Sequence, residues 1–321
     1  EHATAKVEVE ALEWAYSNAD VIVLELLIET TKKQKNDTLI TSAYELQLKR
    51  MTGKIDTASF FNETENLKFE LKGMNLETLV LLGISTIYAL VDTAAFRAVY
   101  SIAQNLLKQI QSIESEYIKN AYTVRIKIAL IVSFIRSGDL HKADEIAQEL
   151  LKDEIFGLFP IFYNNALICL GEIYVFSDFD KSAKYIGEAV QMMNEGYFYN
   201  NEKWRGRIKA NHDFIYIFHN RLDDLYLADS AEQAHCYAKG DNAAKQKALS
   251  ILDEIYNKNG KLSNFQMYYK ALALQDINLM QKAKEGFYHS GDFHYAKLPE
   301  IYIEHYKNEY NMSKDKDGFS K

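Results

Sequence analysis

Apolar residues recur every three or four positions along most of the chain. In segment 7–27 they include Leu12 and Tyr16, segment 41–51 has the same spacing, and segment 76–107 is apolar enough for two helices. This period is that of helices that bury one face. No segment keeps the period of two that is typical of strands. The pattern therefore predicts an all-α protein.

A short sequence motif that recurs in the second half of the chain indicates structural repeats. A turn with Gly or Asp is followed by a helix whose small residue is expected to face its partner helix, at intervals of about 35–40 residues. The four occurrences are 137–143 with Ala143, 177–183 with Ala183, 239–242 with Ala248, and 276–278 with Ala283. Asp139 and Asp178 are the predicted helix caps. This repeated turn-and-helix pattern predicts a right-handed superhelix of degenerate, tetratricopeptide-like helical hairpins.

Composition narrows the function classes. The chain of 321 residues has only 2 prolines and 14 glycines, which favours long helices with short connections. Its net charge of −8 disfavours a phosphate backbone as partner and favours a cationic ligand. The longest apolar run, 78–91, is too short to span a bilayer, so no membrane association is predicted.

No catalytic or metal-binding constellation stands out, and the histidines are scattered. We therefore expect no enzyme activity, no metal and no cofactor. Polar residues in apolar helices are more informative, because an amide can clamp a peptide backbone. Asn164, Asn165 and Asn211 are candidates for this role, although each also fits a helix cap or a surface position. Arg136 is a candidate for binding a carboxylate, or else a solvated helix end.

One short segment carries a family resemblance. The run Glu-Gln-Ala-His-Cys within 230–237 resembles the AimR receptors of Bacillus phages. Further segments resemble that family in the same order, without large gaps and over nearly the whole chain. They are 11–15, 117–122 with Arg125, 267–270, 290–292 and 297–299.

The resemblance implies an architecture and a function. Such receptors have an N-terminal helix-turn-helix domain, expected here upstream of residue 1, followed by repeats that bind a short peptide ending Arg-Gly-Ala. We expect a peptide-binding domain over 1–311 and a polar, disordered tail over 312–321. The receptor would control transcription in the phage lysis–lysogeny decision, in the bacterial cytoplasm, as a homodimer that contacts DNA only through the upstream domain. The alternative is a Rap-like receptor that acts on a protein partner.

The resemblance also implies that two acidic residues bind the peptide. Glu232 and Asp292 fall where the family holds acidic residues that bind the arginine of the peptide, and a buried arginine needs charged partners. Other positions depart from the family pattern. Ile161 stands where relatives have an arginine for the peptide carboxylate, and Glu172 stands where they have an asparagine.

Other residues of this chain are expected to replace the family residues that are missing from the site. Arg136 is the expected replacement for the missing arginine, and Asn165 the expected replacement for an amide. The full predicted peptide-binding set is Arg136, Asn164, Asn165, Glu172, Asn211, Glu232, Tyr268 and Asp292.

Overall fold

Helices account for all regular structure in the part of the chain that the structure describes. A computed structural model describes residues 2–33, 39–69 and 75–318, with side chains for 8–33, 39–69 and 75–307. The α-helices are α1 (His2–Ser17), α2 (Val21–Lys33), α3 (Leu39–Thr52), α4 (Thr57–Phe69), α5 (Leu76–Asp92), α6 (Phe96–Ile110), α7 (Glu116–Arg136), α8 (Leu140–Lys152), α9 (Pro160–Tyr174), α10 (Phe179–Asn194), α11 (Glu202–Phe218), α12 (Ser230–Ala238), α13 (Asn242–Asn259), α14 (Asn264–Leu274), α15 (Ile277–His289) and α16 (Lys297–Gly318). A 3₁₀-helix covers Glu154–Leu158. The prediction of an all-α protein is confirmed.

The helices form two compact units. The first contains α1 to α6, α7 up to Ile135, α8 to α10, and α11 up to His212. The second contains residues 136–138, the rest of α11, and α12 to α16. Within each unit, helices that follow one another in sequence pack together, as α9 does with α10 and α14 with α15. This is the arrangement of helical hairpins that the recurring sequence motif predicts.

The predicted boundaries agree well with the helices. Segment 76–107 is divided into α5 and α6, as expected. Segment 7–27 is divided between α1 and α2 at Ala19, which has a positive φ of 56°. Helix α16 extends over part of the predicted tail, and the side chains from 308 onward lie outside those described, so disorder over 312–321 stays a prediction. No helix in the described ranges has the length and apolar character needed to cross a membrane.

Carboxylate caps start the repeat helices. The side chain of Asp139 accepts from the backbone N–H of Lys142 at the start of α8. Asp178 accepts from Lys181 in the same way at the start of α10. Each cap satisfies an N–H group that the helix cannot pair internally. The two caps predicted from the sequence are therefore confirmed.

The small residue of one repeat lies one position from its predicted place. Ala143, Ala248 and Ala283 are fully buried, as expected. In α10, however, Ser182 rather than Ala183 is fully buried, and its hydroxyl donates to the carbonyl of Gly171 in α9 at 2.7 Å. The prediction of Ala183 was wrong because a serine that bonds the facing backbone also permits close approach.

A buried arginine organises the first unit. Arg125 of α7 is fully buried, and its Nη1 donates to Glu13 of α1 at 2.8 Å. Its Nη2 donates to Gln47 of α3 at 3.1 Å, and its Nε donates to the hydroxyl of Tyr88 in α5 at 3.1 Å. The guanidinium carbon lies 4.2 Å from the ring centroid of Tyr16. One side chain thus joins four helices.

The carboxylate opposite this arginine is equally well satisfied. Glu13 is fully buried and accepts from the hydroxyl of Tyr44 at 2.7 Å and from that of Ser17 at 3.1 Å. Removing one member of a buried pair leaves the other charge without a partner in a medium of low polarity. Arg125 and Glu13 are therefore coupled to the stability of the whole unit.

We expect Arg125→Met to lower the free energy of unfolding by about 3–5 kcal/mol, because Glu13 would stay buried without its cation. Urea unfolding followed by circular dichroism measures this loss.

Lys127→Gln is the matched control on the same helix. Lys127 pairs with the exposed Glu149 at 2.8 Å, and such pairs contribute about 0–1 kcal/mol. A loss in Arg125→Met no larger than that of the control would contradict the structural role of the buried pair.

Candidate functional site

The eight predicted site residues fall into two groups. Arg136, Glu232, Tyr268 and Asp292 belong to the second unit, and Asn164, Asn165, Glu172 and Asn211 belong to the first.

Glu232 occupies the first turn of α12, a helix capped by Asp229. The side chain of Glu232 is buried, and its Oε1 accepts from the hydroxyl of Tyr269 in α14 at 2.9 Å. Its Oε2 lies 3.1 Å from Nδ1 of His235, which is three residues further along the same helix. Glu232 makes no ion pair with a lysine or arginine of any described residue. No cation within this part of the chain would therefore compensate the charge of an ionised Glu232.

Without a cationic partner among the described residues, the buried Glu232 carboxyl has a raised pKa. Burial raises the pKa of the Glu232 carboxyl to about 8, the bond from Tyr269 opposes this, and the charges of Asp229 and Asp213 add to it. Burial, helped by Lys239, holds the pKa of His235 well below its ordinary value. At neutral pH the carboxyl therefore holds a proton, and the imidazole beside it is neutral. A cation placed against Oε1 or Oε2 would favour the loss of that proton.

Aromatic rings surround this carboxyl. The His235 ring stacks on Tyr269 with centroids 4.3 Å apart, and Tyr268 and Phe214 lie against it at 6.2 and 5.8 Å. Nε2 of His235 is buried without a hydrogen-bond partner among the described residues. Tyr268, a predicted site residue, is buried, and its ring is part of the aromatic cluster around Glu232. Flat aromatic faces beside an acid suit a planar cation such as guanidinium.

Asp292 lies in the turn before α16, with Arg136 beside it. Nε of Arg136 is 3.8 Å from Oδ2 of Asp292, and both side chains are mostly buried. The guanidinium carbon of Arg136 lies 4.6 Å from the ring centroid of Tyr295. The backbone N–H of Phe293 donates to the carbonyl of Arg136 at 2.7 Å, which fixes the end of α7 on this turn. Asp292, predicted to bind the peptide arginine, and Arg136, predicted to bind the peptide carboxylate, are thus paired with each other.

A ring contact connects the two acidic positions. Phe214 lies between the ring of His235, at 5.8 Å, and the ring of Tyr295, at 5.5 Å. The structure therefore brings Glu232 and Asp292 to one aromatic cluster of the second unit. Sequence reasoning did not name His235 or Tyr269 as site residues. The spacing of three between Glu232 and His235 on a predicted helix was the available signal.

Asn164 of α9 has a packing role. It is fully buried, its Nδ2 donates to the carbonyl of Ala189 at 2.9 Å, and its Oδ1 accepts from the indole of Trp204 at 3.1 Å. Because both ends of the amide are used inside the first unit, Asn164 presents no group to a ligand in this structure.

The other three residues of the first unit differ in exposure. Asn165 is half-buried and accepts from Nη2 of Arg207 at 3.3 Å. Asn211 donates to the carbonyl of Arg207 one turn earlier at 2.9 Å, as helix asparagines often do. Glu172 is buried on α9. Their roles in peptide binding stay predictions. No group of three or more His, Cys, Asp or Glu side chains suited to a metal occurs in the described ranges.

We expect the stability of the protein to fall between pH 6.5 and pH 8 because of Glu232. Its pKa is about 8 in the folded protein and about 4.3 in an unfolded chain, so the folded state holds the extra proton and loses that advantage as pH rises. The slope is at most about 1.4 kcal/mol per pH unit. Urea unfolding at several pH values measures it.

Glu232→Gln is the reference, because glutamine keeps the shape of the protonated acid. The lowered pKa of His235 gives a slope of opposite sign, but only below about pH 6.5, its ordinary value. Parallel stability curves for wild type and Glu232→Gln above pH 6.5 would show that the carboxyl is already ionised, against this account.

The chain is similar to known proteins over most of its length. A family model described as AimR transcriptional regulator-like matches residues 2–305. An uncharacterised Bacillus anthracis protein, pXO2-35, is 27% identical over 253 residues, which are 78% of this chain and 93% of that protein.

Solved structures agree with the family match. A structure of phAimR with a ligand has a TM-score of 0.76 at 17% identity, covering 94% of this chain and 88% of that one. A selenomethionine phAimR structure has a TM-score of 0.60 at 17% identity, covering 93% and 76%. At this identity the likeness establishes the fold. With the family model matching from residue 2 to residue 305, the chain belongs to the AimR transcriptional regulator-like family.

Proposed function

We propose that this protein is a receptor for a short peptide that carries an arginine, and that Glu232 binds the guanidinium group of that arginine. One observation carries the proposal: Glu232 is a buried carboxyl with aromatic neighbours and no cationic partner in the described ranges. A buried carboxyl without a cation keeps its proton, and ionising it costs free energy that a bound cation would offset.

An arriving guanidinium would complete this arrangement. It supplies a positive charge and several N–H donors in one plane, so it can bond Glu232 and lie against the rings of its wall. Charge-assisted hydrogen bonds of this kind contribute about 1.5–3 kcal/mol each. Lysine offers a point charge with less planar contact, so the site should prefer arginine.

Asp292 and Arg136 supply the second part of the proposed site. Asp292 would share the arginine of the peptide with Glu232, as the family resemblance implies. Arg136 would then exchange Asp292 for a carboxylate of the peptide. The 3.8 Å ion pair between Arg136 and Asp292 supports the inclusion of both residues in one site. The peptide class proposed from the family ends in Arg-Gly-Ala.

The description of the family as transcriptional regulator-like supports a wider role. We propose that peptide binding in the bacterial cytoplasm changes the activity of a transcriptional regulator of the phage lysis–lysogeny decision, and that the receptor acts as a homodimer. A change of this kind requires two states with different affinity for the peptide.

We expect one member of a panel of peptides ending Arg-Gly-Ala to bind with a dissociation constant on the order of 1 μM or lower. Glu232→Gln and Asp292→Asn should each weaken binding by about tenfold or more, because each removes a charged partner of the arginine. Isothermal titration calorimetry measures both effects.

Two controls make this experiment specific. Asp223→Asn changes an exposed acid of the same unit and should leave affinity unchanged, so a general effect of net charge is excluded. Replacing the peptide arginine with citrulline keeps the shape and removes the charge, and it should abolish the difference between wild type and Glu232→Gln. Binding that tolerates citrulline would overturn the assignment, and failure of every panel member would shift weight to the Rap-like alternative.

A further inference from the structure

His235 has one ring nitrogen in contact with an acid and one nitrogen without a partner. Its Nδ1 lies 3.1 Å from Oε2 of Glu232, and its Nε2 is buried with no hydrogen-bond partner among the described residues. The side chain is fully buried. The tautomer of a histidine is usually fixed by a hydrogen bond to the nitrogen that faces away from its functional partner. Here no such bond holds Nε2, so the contact with Glu232 decides the tautomer.

The two nitrogens of a neutral imidazole have opposite roles. One carries a hydrogen and donates, and the other has a lone pair and accepts. The His235 ring is neutral because burial and the nearby charge of Lys239 hold its pKa well below the ordinary value. A change in the role of Nδ1 therefore reverses the role of Nε2.

The protonation of Glu232 determines the role of Nδ1. Oε1 of Glu232 accepts from the hydroxyl of Tyr269 at 2.9 Å, and Oε2 is the oxygen beside His235. A protonated Oε2 donates to Nδ1, so the ring hydrogen must then be on Nε2. An ionised Oε2 can only accept, so Nδ1 must carry the hydrogen and Nε2 has the lone pair. The geometry thus couples the tautomer of His235 to the proton of Glu232.

Titratable groups surround this pair on the elements that pack with α12. They are Asp229 and Lys239 of α12 itself, Asp213 of α11, Lys247 of α13, Tyr268 and Tyr269 of α14, and Asp292 and Tyr295 before α16. Asp229 and Asp213 favour a proton on Glu232. The ammonium of Lys239 is held at the end of α11, where it donates to the carbonyls of Ile217 and Phe218 at 2.6 and 2.9 Å. These surroundings favour a protonated Glu232 and an Nε2–H ring in the free protein.

We propose that His235 is the proton partner of Glu232, and that it changes tautomer when the arginine of the ligand binds. The proton on Oε2 passes to Nδ1, and the proton on Nε2 is released to water. The carboxylate that remains is neutralised by the guanidinium, so one proton leaves for each arginine bound. This ligand step rests on the receptor function proposed above, whereas the coupling of the two side chains is a property of the free protein.

The first test uses the free protein and needs no peptide. In protein with ¹⁵N-labelled histidines, two-bond ¹⁵N–¹H NMR spectra distinguish an Nδ1–H ring from an Nε2–H ring. We expect His235 to be Nε2–H at about pH 6.5, and to become Nδ1–H as pH rises through the Glu232 pKa of about 8. In Glu232→Gln the hydroxyl of Tyr269 bonds the amide oxygen and the amide NH₂ donates to Nδ1. The Nε2–H ring should therefore persist in that variant as pH rises.

His289 is the internal reference for this spectrum. It is exposed in the same unit, and its Nδ1 lies 2.7 Å from the carbonyl of Glu285. A carbonyl only accepts, so the neutral ring of His289 carries its hydrogen on Nδ1, in wild type and in Glu232→Gln alike. The chain has 8 histidines, and His235→Gln assigns the signal of His235. An Nδ1–H ring at position 235 at about pH 6.5, or the same pH response in Glu232→Gln, would overturn the proposal.

Calorimetry tests the ligand step with an arginine peptide. Titrations at neutral pH in two buffers with different enthalpies of ionisation give the number of protons released on binding. Wild type should release about one proton per peptide, and its affinity should rise by up to about tenfold per pH unit below the Glu232 pKa of about 8. Glu232→Gln should bind more weakly and release none, whereas His141→Gln, an exposed histidine of α8, should match wild type.

The bound protein completes the test. At neutral pH the signal of His235 should be that of an Nδ1–H ring once the peptide is bound. An Nε2–H ring in the complex, or equal proton release by wild type and Glu232→Gln, would overturn the ligand step. If no peptide binds the protein at all, the receptor function fails, while the tautomer titration of the free protein still decides the coupling of His235 to Glu232.

Discussion

A carboxyl group that is buried away from water must be neutralised, and this chain meets the requirement in two different ways. In the first unit, Glu13 is neutralised permanently by Arg125, and hydrogen bonds from Tyr44 and Ser17 complete its shell. In the second unit, Glu232 has comparable burial but only a neutral histidine and a tyrosine as partners. A proton takes the place of the cation there. The first carboxyl stabilises the fold, and the second is suited to exchange its proton for a ligand.

The contrast separates a rigidly packed first unit from the site that we propose responds to a ligand. Arg125 joins four helices, so the first unit has few alternatives to its packing. Around Glu232 the second unit has stacked rings rather than ion pairs, since Tyr269 and Phe214 contact His235. A ligand arginine would then gain its charged contact with Glu232 without first breaking an internal ion pair, which reduces the cost of binding.

The sequence predicts the helices and their caps, but it does not predict features that depend on packing between distant segments. Helical periodicity and the caps Asp139 and Asp178 are local signals, so the elements could be placed from the sequence. Ala183 was wrong by one position, because a packing register depends on the facing helix. Glu232 was predicted as a site residue from a short motif, whereas the proton on it depends on burial by residues far away in sequence, such as Tyr269.

The most direct test of the central claim is an NMR titration of the Glu232 carboxyl carbon in protein labelled at glutamate side chains, with Glu232→Gln to assign the signal. The account predicts a pKa of about 8 in the free protein, and a pKa below neutrality once an arginine peptide is bound, because the guanidinium stabilises the ionised form. A carboxyl that titrates near its ordinary value of about 4.3 in the free protein, or whose pKa is unchanged by the bound peptide, would contradict it.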